Sequence, residues 1–384
     1  MGKDITMERI RIAIVGLGHR GRLMAKLISQ GFDFAEVVGV CDLDRDLWYV
    51  TQWLQEKPIC EVLPNAKFYD DYDRMLDEVK PDLVIVETGA DIHAEFCRKA
   101  LAKDLNVLSD IPAVATLEEA NFLWKAAQES KGVIMVGANP NESSYANALY
   151  DLYTRGLLGE PYYMEAEYIH WSEGQEKINL TAHSPWRKIL CPIRYCTHSL
   201  GPLLRILKED LRYISCFGTG SHIDPENSEK DDMSAAQFRT ESGVIVRLLR
   251  NGRCRARIGH HNYRVFCTKG YFERIAAKGD LPTAVRFNSD VLYGAKHLTT
   301  LPMGEYMPNE YENEPRATGH GGMDYAMLGR FFKVLLAGSK KVPTDLREGL
   351  RMTIPGIYAE ESSKRNGEVL TMHYPWDAEW KTAF

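Results

Sequence analysis

No apolar run in the 384-residue sequence approaches 18 residues, so nothing in it reads as a bilayer-spanning helix. The eight cysteines contain no C-x-x-C pair, and several, such as Cys41, Cys97 and Cys267, fall inside apolar strand or helix patterns. Scattered thiols of this kind argue against a disulfide framework and favour a reducing compartment. There is no basic excess either. The 47 Lys and Arg against 53 Asp and Glu give a net charge of −6, which excludes a broad nucleic-acid face or a polybasic membrane patch. The opening MGKDITMER is too polar for a signal peptide, so a cytoplasmic location is expected. Internal repeats and low-complexity tracts are lacking. What remains, 45% hydrophobic and 26% charged residues, is the composition of a soluble globular protein, and the length suggests two or three domains.

Foremost among what is present is a strand that runs into glycines. Ile10, Ile12, Ile14 and Val15 form a β-branched run that stops at Gly16. Gly16, Gly18 and Gly21 then give G-x-G-x-x-G, and Leu23, Met24, Leu27 and Ile28 mark one side of a following helix. In such a turn the first glycine bends the chain and the second lets backbone approach a pyrophosphate. The third lets helix pack on strand, and the helix N-terminus faces the phosphates. A second strand at residues 37–41 ends at Asp42, about 20 residues on, where a carboxylate accepts hydrogen bonds from ribose hydroxyls. An acid there repels a 2′-phosphate, so the cofactor indicated is NAD.

Strands at residues 83–86, 106–108 and 133–136 alternate with helices at 47–54, 72–79, 93–102 and 117–130, the last opened by Thr116 and Glu119 as a capping box. The fold class is therefore α/β, with a doubly wound parallel sheet over residues 1–138. Cofactor contacts are expected from Gly16, Gly18, His19, Arg20, Gly21, Asp42, Thr88, His93, Asp110, Pro112 and Asn139.

From residue 139 the texture changes. A helix at 145–155 precedes alternating strands at 162–169, 211–219, 235–240, 243–249 and 264–268, which read as one open, mostly antiparallel sheet with a wet face. With helices at 323–336 and 346–364, residues 139–384 read as a second, α+β domain. The polar passages 171–194 and 280–320 show little period, and loops of that length commonly line a site.

Four constellations carry candidate chemistry. Tyr195 and His198 stand where a polar loop enters an apolar helix. Tyr168 and His170, two residues apart at a strand end, share a face. His320, Asp324 and Tyr325 precede a helix that Asp324 is placed to cap. Ser109-Asp110-Ile111-Pro112 follows a strand of the nucleotide domain. Removing hydride and proton from a sugar needs a base at the hydroxyl, and tyrosine, histidine and carboxylate are the usual groups. His260 and His261 are adjacent, so on a strand they face opposite sides and make a poor metal pair; no metal is expected.

These residues, with the glycine loop, resemble the Gfo/Idh/MocA family of NAD(P)-dependent oxidoreductases over essentially the whole chain. That resemblance implies an N-terminal Rossmann domain and a C-terminal domain on an open, mostly antiparallel sheet. The family usually carries Glu-Lys-Pro after the fourth or fifth strand, its lysine serving the sugar hydroxyl, whereas this chain has Asp110-Ile111-Pro112. The family also favours Asp-x-x-x-His, of which His198 is the histidine and Arg194 stands in place of the aspartate.

Both departures are similar to the NAD-dependent glycosidases of glycoside hydrolase family 109, known for α-N-acetylgalactosaminidase activity. The shared patterns are Ile111-Pro112-Ala113, Tyr168-x-His170, Trp186-Arg187, Tyr195-x-Thr197-His198-x-Leu200-Gly201-Pro202 and the stretch His320 to Asp324. The resemblance implies a redox cycle in which hydride leaves sugar carbon 3, a proton leaves carbon 2, the aglycone is eliminated, water adds and the ketone is reduced again. It implies Tyr195 and His198 at carbon 3, Tyr168 and His170 as acid or base, and substrate contacts from Trp186, Arg187, His320 and Tyr325. The alternative is a sugar or polyol dehydrogenase that releases reduced cofactor. A sugar or glycoside is the expected partner, with no nucleic acid or membrane, in a homo-oligomer.

Overall fold

The computed structural model describes residues 9–51, 57–170, 191–226, 230–277, 283–302 and 320–384. The chain divides into two compact units: Met1–Asn139, Asn309–Leu350 and Thr382–Phe384 form one, Pro140–Pro308 and Arg351–Lys381 the other.

The first unit is built on six parallel strands, β1 (Ile10–Val15), β2 (Ala35–Cys41), β3 (Lys67–Tyr69), β4 (Leu83–Val86), β5 (Asn106–Ser109) and β6 (Ile134–Val136), in the order β3-β2-β1-β4-β5-β6. All four residues of β4 are buried, as expected of a strand covered on both faces. The helices are α1 (His19–Gly31), α2 (Ile59–Val62), α3 (Tyr72–Val79), α4 (His93–Leu101) and α5 (Leu117–Glu129). Strand order reverses between β1 and β4, the switch point outside which doubly wound sheets bind ligand.

A later helix, Met323–Leu336, joins this core. Phe332 meets Phe32 edge-on at 4.9 Å, and a Cβ at Gly31 would lie 2.4 Å from Tyr325. Over its described part, residues 47–51, the helix expected at 47–54 is not α-helical. Arg45–Trp48 is a short 3₁₀ turn, because Asp42 accepts from the Asp44 amide and Asp44 from the Asp46 amide, giving the backbone an alternative to the helical ladder. Residues 52–56 lie outside the described chain.

In the second unit, helix α6 (Ser144–Thr154) leads into β7 (Pro161–Tyr168), the middle of a nine-stranded sheet. On one side lie β10 (Ile245–Asn251), β9 (Met233–Thr240), β8 (Leu211–Gly218) and β15 (Leu370–Thr371). On the other lie β11 (Asn262–Cys267), β12 (Gly270–Ile275), β13 (Ala284–Ser289) and β14 (Thr299–Thr300). Every pairing is antiparallel except β7 with β10, because two meanders meet on the central strand, one on each edge.

β13 and β14 fall in a passage with little period by sequence. Val285, Phe287 and Ser289 are the buried positions of β13, and the serine among them masks the alternation. The wet face carries Glu165 and Glu167, 2.7 and 3.2 Å from Arg247, while Met164 and Ala166 face the core. The helix Thr197–Leu204 packs on β7.

No cysteine is disulfide-bonded, and burial pushes the thiols of Cys41, Cys97, Cys196, Cys216 and Cys267 up to about 12, so they stay protonated and unreactive. Among the described residues no helix is long and apolar enough to cross a membrane.

The expected capping box is present: Thr116 Oγ1 accepts from the Glu119 amide at 3.1 Å, and Glu119 Oε2 accepts from the Thr116 amide at 3.2 Å. Thr116→Ala should therefore lower unfolding free energy by about 1 kcal/mol in urea titration while leaving cofactor affinity unchanged.

Candidate active site

The glycine loop is fixed by close approaches. Gly16 has φ +92°, and a Cβ there would sit 2.6 Å from the Glu87 carbonyl oxygen. A Cβ on Gly21 would sit 1.8 Å from the Gly16 carbonyl oxygen, so the helix can reach the strand only without a side chain. Gly18 differs: nothing lies within 4 Å of its Cβ position, leaving a cradle open beside the backbone. Helix α1 starts there with no side-chain cap hydrogen bond and no acidic residue in its first turn, and a helix start of that kind favours an anion. Asp42 Oδ2 accepts from the Leu17 amide at 2.6 Å, which pins the carboxylate against the loop. An open cradle, an uncapped helix start and an acid at the end of β2 together fit an NAD pyrophosphate and ribose.

Arg20 does not stay at the surface of this loop. Its Nη1 donates to Asp324 Oδ1 at 2.7 Å, and its Nε lies 3.8 Å from Asp110 and 3.9 Å from Glu87. Asn139 Nδ2 donates to the same Asp324 oxygen at 3.0 Å, and His320 Nδ1 lies 2.7 Å from the other. Asp324 therefore does not cap its helix. Gly322 is the N-cap, at φ +86°, and Asp324, buried in the first turn, is engaged by Arg20, Asn139 and His320.

Burial alone would raise the Asp324 carboxyl, but Arg20 and the His320 hydrogen bond hold it well below the usual carboxylate range. Glu87 goes the other way: burial, with Asp110 beside it, lifts its carboxyl well above the usual range despite Arg20. Glu87 was not singled out by sequence, although an acid directly after a wholly apolar strand is a signal that could have found it.

The remaining first-unit positions sort by burial. His93 is 1% exposed, with Nδ1 3.1 Å from the Pro112 carbonyl oxygen and Nε2 2.5 Å from that of Thr88, and so ties together the turns after β4 and β5. Ile111 is buried, and the cation beside Asp110 is Arg20. Tyr325 is 2% exposed, packed in the core beside Phe32. His19 and His320 are exposed.

In the second unit four expected residues come together. Period 2 along β7 puts Tyr168 on the face of Met164 and Ala166, at the end of the strand. Its ring lies 5.7 Å from His198, 6.3 Å from Tyr195 and 6.1 Å from His170, centroid to centroid. The Tyr195 hydroxyl is 3.3 Å from His198 Nε2. All four side chains are half-buried, so each can be reached from solvent. Arg194, in the place of the aspartate, pairs with Glu360 at 2.5 Å.

Three participants were missed or misjudged by sequence. Arg250 places its guanidinium 4.1 Å from the centre of the Tyr168 ring. His261 stacks on Tyr168 at 4.2 Å and His260 on His170 at 4.1 Å. The two histidines do not face opposite sides: they precede β11, and His261 has φ +61°, which turns both rings to one cluster. Trp186 and Arg187 lie outside the described residues. Among the described residues no group of three His, Cys, Asp or Glu could hold a metal ion.

The carboxylate cluster gives opposite expectations for two variants. Arg20→Met strands the buried Asp324 and should cost about 3–5 kcal/mol in chemical unfolding. Glu87→Gln should keep or raise Tm at pH 8. A carboxyl with a raised folded pKa loses stability as rising pH forces it to ionise, so the advantage of the amide should widen above about pH 4.3. A gap that narrows with pH would contradict this environment for Glu87.

Residues 10–138 match the Gfo/Idh/MocA oxidoreductase family, NAD-binding Rossmann fold. The chain is 29% identical over 217 residues to glycosyl hydrolase family 109 protein 1 of Akkermansia muciniphila; that match covers 55% of this chain and 45% of the relative, so it spans less than half of that protein. It is 22% identical to an α-N-acetylgalactosaminidase of Shewanella oneidensis, over 93% of this chain and 83% of that one. Its fold is similar to that of scyllo-inositol dehydrogenase from Lactobacillus casei, solved with NAD(H) and scyllo-inositol, at a TM-score of 0.73 and 15% identity over 94% of this chain and 99% of that one. Residues 10–138 thus form an NAD-binding Rossmann domain that matches that of the Gfo/Idh/MocA oxidoreductases, in a chain that is an enzyme.

Proposed function

We propose that the chain is a glycosidase that cleaves a pyranoside through transient oxidation at carbon 3, with no net redox change. The observation that carries this reading is the tyrosine and histidine cluster of the second unit, in a chain whose Asp110-Ile111-Pro112 turn offers no lysine to a sugar hydroxyl. Likeness to family 109 hydrolases along most of the chain supports it. Bound NAD, held at Gly18, the start of α1 and Asp42, would supply the hydride acceptor and donor for carbon 3.

The protein's own residues would handle the protons. Tyr195 and His198, already within hydrogen-bonding reach of each other, would take the proton of the carbon 3 hydroxyl and later return it. The ketone makes the carbon 2 proton acidic. Tyr168 and His170 would serve as the base that removes it and the acid that protonates the departing aglycone oxygen. Water then adds at carbon 1, carbon 2 regains a proton, and the restored carbon 3 alcohol completes the cycle. Trp186 and Arg187 would contact the sugar by the same likeness, and His320 would lie on the substrate side, whereas Tyr325, enclosed in the core beside Phe32, would not.

Incubation with aryl α- and β-glycosides in deuterated water tests this. Aglycone release, deuterium at carbon 2 and no accumulation of reduced cofactor are expected. His198→Ala and Tyr195→Phe should lower kcat by about 10²–10⁴-fold. Stoichiometric reduced cofactor with an intact glycosidic bond would assign the chain to the sugar dehydrogenases instead.

A further inference from the structure

We propose that His260 and His261 are positioning residues of this cluster: their rings fix those of His170 and Tyr168, and His261 sets the orientation in which Tyr168 meets a proton. The inference rests on the reading of Tyr168 and His170 as proton-transfer groups.

Adjacent side chains of an extended strand point to opposite faces, so two neighbouring histidines cannot both serve one cluster from a regular strand. Here His261 takes the left-handed conformation, φ +61°, immediately before β11 begins at Asn262. That conformation is uncommon for a residue with a side chain and persists where the surroundings over-determine it. The surroundings do so. Arg274 Nη1 donates to the carbonyl oxygens of both His260 and His261. Asn262 Oδ1 accepts from the Ala276 amide at 2.7 Å. A Cβ on Gly259 would lie 2.4 Å from the Ala276 backbone, so the chain is pressed close on that side as well.

The outcome is a short segment that holds three of the four candidate groups. His260 stacks on His170 with 28° between the rings, His261 on Tyr168 with 23°, and the Tyr263 hydroxyl donates to the His198 carbonyl oxygen at 2.7 Å. The end of β10 holds the same pair by other means. Asn251 exchanges two 2.7 Å hydrogen bonds with the His170 backbone, and Arg250 lies against the Tyr168 ring while donating to the Tyr168 carbonyl oxygen at 3.3 Å. The His261 contact is one of ring on ring. Its Nδ1 is buried and makes no hydrogen bond, and burial, with His198, Arg274 and Arg250 nearby, disfavours the imidazolium. A neutral flat ring beside an arginine is what this place accepts.

The test separates the ring from the imidazole. His261→Asn keeps a residue that tolerates the left-handed conformation but removes the ring. His261→Phe keeps a ring without nitrogen. Protein labelled with 3-fluorotyrosine, its Tyr168 resonance assigned by Tyr168→Phe, should give a single narrow ¹⁹F signal in wild type and in His261→Phe, and a broadened or split one in His261→Asn. On a cleaved glycoside, His261→Asn should lose about 10–100-fold in kcat with KM within about threefold, and His261→Phe should recover most of it. His260→Asn and His260→Phe repeat the comparison through His170, and an unchanged near-UV circular dichroism spectrum and Tm certify folding in each.

An unaltered ¹⁹F signal and kcat in His261→Asn would overturn the proposal. So would a His261→Phe protein as slow as His261→Asn, since the imidazole itself would then be required. Full activity in His198→Ala and Tyr195→Phe would instead sink the glycosidase site while leaving the fluorine result to judge the clamp.

Discussion

A single guanidinium, that of Arg20, faces Glu87, Asp110 and Asp324, and the shape of the nucleotide-binding unit depends on it. Arg20 stands inside the glycine motif, so the ion pair fixes the first turn of α1 against the ends of β4 and β5 and against the helix Met323–Leu336. Asp324, with the shortest contact and two further partners, is held well below the usual carboxylate range, while burial and the neighbouring Asp110 lift Glu87 well above it. Because Arg20 is committed inward, the phosphate end of the site is left to backbone: the open Gly18 cradle and the uncapped start of α1.

The second unit solves a different problem. The proposed acid–base groups must be held within narrow angles yet remain reachable. The sheet separates these demands by face and by end: ion pairs between Glu165, Glu167 and Arg247 occupy one face, packed aliphatic side chains the other, and Tyr168 and His170 stand where the strand runs out. There the side chains are half-buried, and stacked rings hold them where a strand ladder no longer does.

Elements with strong local signals were legible in the sequence. The glycine motif, the apolar run of β4 and the Thr116 capping box each carry their signal within a few residues of sequence, and each is present. What escaped depends on distant partners. Nothing near Arg20 in the chain announces Asp324, 304 residues away, and the cap expected of Asp324 lost to that ion pair. The turn of His261 is dictated by Arg274 and the neighbouring β12, so a rule about strand alternation could not find it. β13 stayed hidden because one of its three buried positions is a serine.

In the proposed cycle hydride leaves carbon 3 for a bound cofactor and comes back to the same carbon. A glycoside carrying deuterium at carbon 3 tests it most directly, followed through one turnover with enzyme in excess. Absorbance at 340 nm should rise and decay within that turnover, and the released sugar should keep its deuterium at carbon 3. A released sugar with intact label and no transient, or label lost to free reduced cofactor, would contradict it.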